Sequence, residues 1–203
     1  LLKLDWNIND YHRASLTHQR TEEFRISPYD TGTSAVTLSS HYYNIDNITK
    51  NTSLQLFSDW SDNFNTEFKV SKQTFDQING NDVDNTEVII TLPNNGRIFI
   101  GEDDNRHENQ INTDKTTASF IGNYYLGNHE IKGGVEYIKN DVFNLYGKTL
   151  HGEWQFNGLD NFENGVFANY VIRRPAAGFT EADTAAALVY SQISPFIQDT
   201  WQV

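Results

Sequence analysis

The chain lacks several residues and patterns, and each absence excludes a class of protein. It has no cysteine, which removes disulfides, thiolate catalysis and cysteine-ligated zinc. It has no run of 18 apolar residues, and its mean hydropathy is −0.60, so membrane-spanning helices are excluded. Its 15 basic residues are scattered among 27 acidic ones, giving a net charge of −12, so we expect no nucleic-acid partner.

Aromatic and turn-forming residues are abundant instead. The 13 Phe and 10 Tyr are a heavy aromatic load for so polar a chain, and Asn, Asp, Gly and Thr recur between apolar stretches. Apolar and polar side chains alternate with a period of two, as in Leu2-Lys3-Leu4-Asp5-Trp6-Asn7-Ile8. This pattern predicts an all-β protein with sheets that are apolar on one face.

Seven long strands follow from the alternation. Their predicted ranges are residues 2–7, 11–24, 34–60, 64–75, 113–126, 129–140 and 190–203. The segment 34–60 is open to two interpretations, one very long strand or a hairpin that turns near "NIDNITKN". A further hairpin is predicted around Asn94-Asn95-Gly96, between the apolar segments 86–92 and 97–101.

The connections between these strands form two groups. Those near residues 7–10, 61–63 and 127–128 are tight, whereas 25–33, 76–112 and 141–189 are long and polar. Every tight turn then falls at one end of an antiparallel meander and every long loop at the other. This asymmetry is typical of an outer-membrane β-barrel with short periplasmic turns and long extracellular loops. A soluble β-sandwich is the rival interpretation, in which 86–92 and 97–101 are core strands.

Several phrases resemble successive barrel segments of TonB-dependent outer-membrane receptors. They include "LDWNINDYHRASLTHQR", "SLQLFSDWSDNFNTEFKVS", "IFIGEDDNRHENQINTDKTTASFIGNYYLGNHEIKGGVEYIKNDVFNLY" and "FIQDTWQV". The likeness is greatest to the Oar-like, OmpA-related group. Because both ends of the chain are strand-like, we expect residues 1–203 to be part of a longer barrel, with about seven spanning strands and extracellular loops at 76–112 and 141–189.

The resemblance implies a large transmembrane barrel with a plugged lumen, located in the outer membrane of a Gram-negative bacterium. It implies outer-membrane lipid and lipopolysaccharide as partners, together with the receptor's own plug domain and the TonB complex. The expected function is energised uptake of a large ligand, peptide-related or carbohydrate, bound at the extracellular loops. The alternatives are a soluble carbohydrate-binding or adhesive module and a passive porin-like barrel.

In such a barrel one face of each strand contacts lipid. We expect Tyr124, Leu126, Ile131, Val135 and Tyr137 to do so, with their charged neighbours in sequence facing a wet lumen. Aromatic residues enriched at the membrane interfaces form girdles. The candidates are Trp6, Tyr42, Trp60, Tyr124, Tyr137 and Trp201.

No enzyme, metal or cofactor signature is present. The sequence contains no G-x-S-x-G, P-loop or H-E-x-x-H motif, and its six histidines form no adjacent ligand pairs. We therefore expect no catalytic activity, no metal and no cofactor. The acidic stretches 101–109, "GEDDNRHEN", and 79–85, "NGNDVDN", are interpreted as a solvated loop partly neutralised by Arg106 and as a turn cluster.

The segment 141–189 carries the candidate ligand-binding residues. Aromatic side chains in a polar outer loop give large contact area for a sugar or peptide, and paired arginines suit an anionic group. The candidates are Tyr146, Trp154, Phe156, Arg173 and Arg174. The alternative is that the aromatics pack the loop onto its neighbours as a lid, and that the arginines pair with acids.

Overall fold

The computed structural model describes residues 1–81 and 85–202. Its helical elements are one short helix, α1 (Leu159–Glu163), and two single 3₁₀ turns, Ser39–His41 and Ala182–Thr184. The strands are β1 (Leu2–Asn7), β2 (His12–Ser27), β3 (Ala35–Thr37), β4 (Tyr43–Ser61), β5 (Phe64–Gly80), β6 (Glu87–Thr91), β7 (Arg97–Ile100), β8 (Glu108–Leu126), β9 (His129–Gly147), β10 (Glu153–Asn157), β11 (Asn169–Val171) and β12 (Ala186–Trp201).

The strands form two sheets. The main sheet has seven strands in the order β1-β2-β4-β5-β8-β9-β12, all antiparallel to their neighbours. The cap sheet has five short strands in the order β11-β10-β6-β7-β3, and its β10–β6 and β3–β7 pairs are parallel. The predicted all-β class and the antiparallel main sheet are confirmed. The main sheet is open, with β1 and β12 at its edges.

The two ends of the main sheet differ as the connection lengths predicted. The tight connections β1–β2, β4–β5 and β8–β9 all lie at one end, the turn end. The long connections β2–β4, β5–β8 and β9–β12 all leave from the other end, and they contain every strand of the cap sheet. The long connections therefore meet in one folded cap.

Of the two interpretations of residues 34–60, the hairpin was wrong, and the single long strand is confirmed from residue 43 onward but not before it. Residues Ala35–Thr37 form β3, which leaves the main sheet and pairs in parallel with β7 in the cap sheet. The 3₁₀ turn follows, and β4 then runs from Tyr43 to Ser61 with no turn near "NIDNITKN". Asn47 in that stretch pairs with Glu23 of β2 and Gln77 of β5, so neighbours on both sides keep it extended.

The predicted hairpin around Asn94-Asn95-Gly96 is confirmed as β6 and β7. Asn95 has φ 61°, a left-handed conformation that Asn tolerates, and Asn94 Oδ1 accepts a bond from the Gly96 amide at 3.0 Å. The parallel pairing of β6 with β10 was not predicted. It joins residues of two connections that are 66 positions apart in sequence, such as Glu87 and Glu153.

One face of the main sheet carries an exposed apolar band. Cross-strand register places Leu54, Val70, Ala118, Tyr137 and Ile193 in one row across five neighbouring strands. Further rows toward the turn end hold Leu56, Phe68, Phe120 and Val135, then Phe64, Tyr124 and Ile131. Leu54, Phe120 and Ile193 are 44%, 48% and 69% exposed, so no second sheet among the described residues covers this face.

The apolar band ends at the same level on β2, β4, β5, β8 and β9, whereas on the edge strands Leu2 of β1 and Val189 of β12 lie beyond that level. The next row toward the cap consists of His18, Thr52, Lys72, Thr116, Lys139 and Ser191. The row beyond it contains Arg20, Lys50, Thr74, Asp114 and Asp141. We call these two rows the polar collar. On β8 the band occupies residues 118–126, and the 9–11 residues that a tilted strand needs to cross a bilayer match this length.

The opposite face of the main sheet is polar. Side-chain amides bond across the strands there, from Gln77 to Asn47 at 2.8 Å and from Asn79 to Asn109 at 3.0 Å. Near the turn end, Asn123 donates to Asn65 at 2.8 Å. These bonds satisfy polar groups on a face that is suited to water.

Most candidate girdle residues lie toward the turn end of the apolar band. Trp60 donates its indole N–H to Thr66 Oγ1 at 2.8 Å, and Trp201 stacks on His129 at 5.7 Å. Tyr137 lies instead in the band's last row before the polar collar. Tyr42 was assigned wrongly, because it follows the 3₁₀ turn at the cap end, far from the band.

Within the described residues, no helix has the length and apolar character to cross a membrane. The predicted turn cluster 79–85 begins inside β5, and its residues 82–84 lie outside the described part of the chain.

Candidate ligand and ion sites in the cap

The cap has a small apolar core beside a larger polar interior. Ile90 of β6 and Phe99 of β7 are 1% and 6% exposed, and Phe156 of β10 is 8% exposed. His41, at the end of the 3₁₀ turn, is fully buried, with its ring 5.2 Å from that of Phe99. Three connections of distant sequence position therefore converge in the cap.

The interpretation of residues 101–109 as a solvated acidic loop was wrong. Glu102, Asp103, Asp104 and His107 are all less than 5% exposed. Gly101 allows the segment to pack this closely: it has φ 83°, and a Cβ there would lie 2.1 Å from the Thr86 carbonyl oxygen. Arg106 does not serve as the expected neutralising partner, since its guanidinium lies over the Tyr43 ring, 4.5 Å from the centroid.

A first buried group is made of Glu87, Asp104 and Glu153, with one carboxylate oxygen of each within 4.8 Å of the others. The parallel β6–β10 pairing creates it, because Glu87 and Glu153 are register partners. Burial raises the pKa of Glu87 to about 9, and the nearby carboxylates of Asp104 and Glu153 add to the shift. Asp104 is held by Lys148 at 3.2 Å and by the Thr149 hydroxyl at 3.1 Å.

A second group joins Asp30, His41 and Asp103, again with donor atoms within 4.8 Å of one another. His41 Nε2 lies 3.3 Å from Asp30 Oδ2, and its Nδ1 lies 3.7 Å from Glu87 Oε1. Asp103 Oδ1 accepts bonds from the amide and the side chain of Asn105 at 2.9 and 3.0 Å. Its other oxygen, Oδ2, is buried without a hydrogen-bond partner.

A third group contains Glu102, His107 and His151. The two imidazole rings stack at 4.7 Å, and His151 Nδ1 lies 3.0 Å from Glu102 Oε2. Burial lowers the pKa of His107 to about 4, with a further contribution from the neighbouring His151. His107 Nδ1 accepts the His151 amide at 3.0 Å, so the neutral ring carries its proton on Nε2.

The candidate ligand-binding residues do not form one surface. Trp154 packs between Tyr170 and Phe167, with ring centroids 4.1 and 4.7 Å away. Phe156 is buried against Phe162 at 5.2 Å. These contacts agree with the alternative interpretation of the segment 141–189. In it the aromatic side chains pack the long connection onto its neighbours as a lid.

The other three candidates lie at the surface of the cap. Tyr146 is 52% exposed and donates its hydroxyl to Asn105 Oδ1 at 2.8 Å. Arg173 is exposed, and its amide bonds to the Thr149 carbonyl at 3.0 Å. Arg174 lines an open cleft of about 640 Å³, together with His151, Tyr170, Phe179 and Glu181. Of the five candidates, Arg174 alone is among the residues lining this cleft.

Sequence reasoning missed most of the buried ionisable groups. Asp30, His41, Glu87 and Glu153 are isolated in sequence, and only the cap's parallel pairing and the 3₁₀ turn bring them together. Residues 102–104 are three consecutive acids next to a glycine, and this pattern is visible in the sequence. The burial of these acids could not be inferred from it.

Comparison with known proteins gives no relative. No protein-family model, no curated protein and no solved structure matches the chain.

Proposed function

We propose that the chain forms part of the wall of an outer-membrane β-barrel, with the cap outside the membrane as the ligand-binding part of a receptor. The exposed apolar band carries this proposal. It lies on one face, has the length of a bilayer crossing on β8, and changes to polar residues at one level on several neighbouring strands.

Exposed apolar area of this extent is unfavourable in water. Soluble monomers rarely expose contiguous apolar patches of more than a few hundred Å². The open edges of the main sheet also support a place in a larger barrel. Backbone groups of β1 and β12 that face lipid require hydrogen-bond partners from further strands. We expect the sheet to close with additional strands around a wet lumen lined by its polar face.

The polar collar supports lipopolysaccharide as a partner. Just beyond the apolar band it presents His18, Arg20, Lys50, Lys72 and Lys139. Lipopolysaccharide phosphates lie at this depth in the outer leaflet, and cationic side chains suit them. Asp114 and Asp141 share the collar, so divalent cations bridging to phosphate are also compatible with it.

Receptor activity extends the proposal to the cap. The resemblance of the strand phrases to TonB-dependent receptors suggests energised uptake, and the cleft beside Arg174 and Tyr170 offers a place for part of a large peptide-related or carbohydrate ligand. The plug domain and the TonB complex are the partners that such uptake requires.

Membrane association is the first test. The chain, refolded with lipid vesicles or expressed in its full reading frame, is expected to float with lipid and to resist alkaline extraction. Refolding to a monodisperse monomer in buffer without detergent would contradict the proposal and favour a soluble module. Loss of ligand uptake when the proton-motive force is collapsed tests the transport step separately.

A further inference from the structure

The buried acids of the cap leave one anionic oxygen unsatisfied. Asp103 is 1% exposed, and Asn105 occupies its Oδ1, while Oδ2 has no hydrogen-bond partner. The nearby cationic side chains contact other groups. Lys148 pairs with Asp104 at 3.2 Å, and the Arg106 guanidinium lies over the ring of Tyr43. A buried carboxylate oxygen without a hydrogen-bond donor destabilises the folded chain. A bound cation would remove this cost.

Asp103 belongs to a group of three residues whose donor atoms have the spacing of metal ligands. One donor atom each of Asp30, His41 and Asp103 lies within 4.8 Å of the other two. His41 Nε2 and Asp30 Oδ2 are 3.3 Å apart. Tetrahedral zinc with bonds of about 2.0–2.1 Å separates neighbouring ligands by about 3.3–3.4 Å, so this pair already has the required separation.

His41 is a buried imidazole next to a carboxyl group. Its ring is fully buried, and its second nitrogen, Nδ1, has no hydrogen-bond partner among the described residues and lies 3.7 Å from Glu87 Oε1. A ligating histidine usually directs its other N–H to a carboxylate or carbonyl, which fixes the ring. The Asp30 side chain is 34% exposed, so an ion has a path from solvent.

We propose that the cap binds one first-row transition-metal ion, with zinc as the probe, through Asp30, His41 Nε2 and Asp103 Oδ2. A water molecule completes the tetrahedron. Asp30 and His41 lie in the β2–β4 connection and Asp103 in the β7–β8 segment, so the ion links two connections and fixes the cap on the end of the main sheet.

The other two groups are less suited to zinc. His107 Nδ1 accepts the His151 amide, so its Nε2 carries a proton and cannot ligate while that bond lasts. In the group of Glu87, Asp104 and Glu153, the Asp104 oxygens already accept bonds from Asn105 and Thr149. Three carboxylates without nitrogen are better suited to calcium than to zinc.

Calorimetric titration of the chelator-treated chain with Zn²⁺ tests the proposal. We expect one equivalent to bind and Asp103→Asn to weaken the affinity at least tenfold. Asp160→Asn removes an exposed carboxylate from α1 and serves as the matched control, with affinity unchanged. If Asp103→Asn does not fold, Asp30→Asn takes its place, since that side chain is partly exposed.

Three results would overturn the proposal. They are absence of Zn²⁺ binding, equal affinity in the Asp103 or Asp30 variant, and binding of Ca²⁺ alone, which would point to the all-carboxylate group. The proposal does not depend on the membrane assignment. A chain that binds Zn²⁺ as expected but stays soluble without lipid would refute the proposed function and leave the ion site standing.

Discussion

At the scale of single residues, the cap depends on burying groups that ordinarily remain in water. His107 shows the consequence most simply, because burial lowers its pKa from the ordinary 6.5 to about 4. Below pH 6.5 the unfolded chain takes up a proton at this residue that the folded chain does not. Stability is therefore lost progressively as the pH falls from 6.5 toward 4, and none is lost at this residue above 6.5.

Replacing this imidazole tests that assignment. His107→Gln keeps an acceptor for the His151 amide but does not titrate, so we expect a smaller loss of stability between pH 6.5 and 4. Thermal unfolding followed by circular dichroism in the presence of a chelator measures the effect. His18→Gln, at an exposed histidine of β2, should retain the slope of the parent. An unchanged slope in His107→Gln would show that other groups cause the acid sensitivity.

At the scale of elements, the tight packing of β9 between β8 and β12 depends on one glycine. A Cβ at Gly134 would lie 2.6 Å from the Phe120 carbonyl oxygen and 3.0 Å from the Phe196 ring. The preceding residue, Gly133, is on the other face, where the nearest atom to an added Cβ is 3.7 Å away. The two glycines therefore have different reasons to be present.

An alanine at each position separates them. Gly134→Ala should destabilise the sheet by about 1–3 kcal/mol, because backbone must move to admit the methyl group. Gly133→Ala should change stability by less than about 1 kcal/mol. Denaturant unfolding in detergent provides both values. Equal effects of the two substitutions would contradict the register of β8, β9 and β12.

The elements also show how far sequence reasoning extends. The long strands of the main sheet were predicted because each alternates apolar and polar residues with a period of two. The cap sheet was predicted only at its local hairpin, since β6–β10 and β3–β7 pair across long separations that no local pattern records. Burial of Asp103 and His41 follows from those pairings. The candidate ion site could therefore not be predicted from the sequence.

At the scale of the whole molecule, the proposed function requires lipid on the apolar face of the main sheet and water on its polar face. Phe120 and Ser119 are adjacent on β8 and point to opposite faces. Arginine at a lipid-facing position near the bilayer midplane costs about 2–4 kcal/mol, whereas lumen-facing positions tolerate charge.

Phe120→Arg should therefore lower the stability of the vesicle-inserted protein by about 2–4 kcal/mol. Ser119→Arg, placed among the polar side chains of the other face, should cost under about 1 kcal/mol. Urea unfolding from lipid vesicles gives the comparison. Similar small costs at both positions would indicate that the apolar band contacts no lipid.

The most direct measurement is the solvent accessibility of successive residues along β9, which alternate between the two faces of the main sheet. Since the chain has no cysteine, single cysteines at positions 132, 133 and 135–138 of β9 can carry a nitroxide label without competing thiols. In lipid vesicles, electron paramagnetic resonance should show labels at 133, 135 and 137 accessible to oxygen, and those at 132, 136 and 138 accessible to a water-soluble nickel chelate. A chelate accessibility that does not alternate, or that is high on both faces, would contradict the membrane assignment.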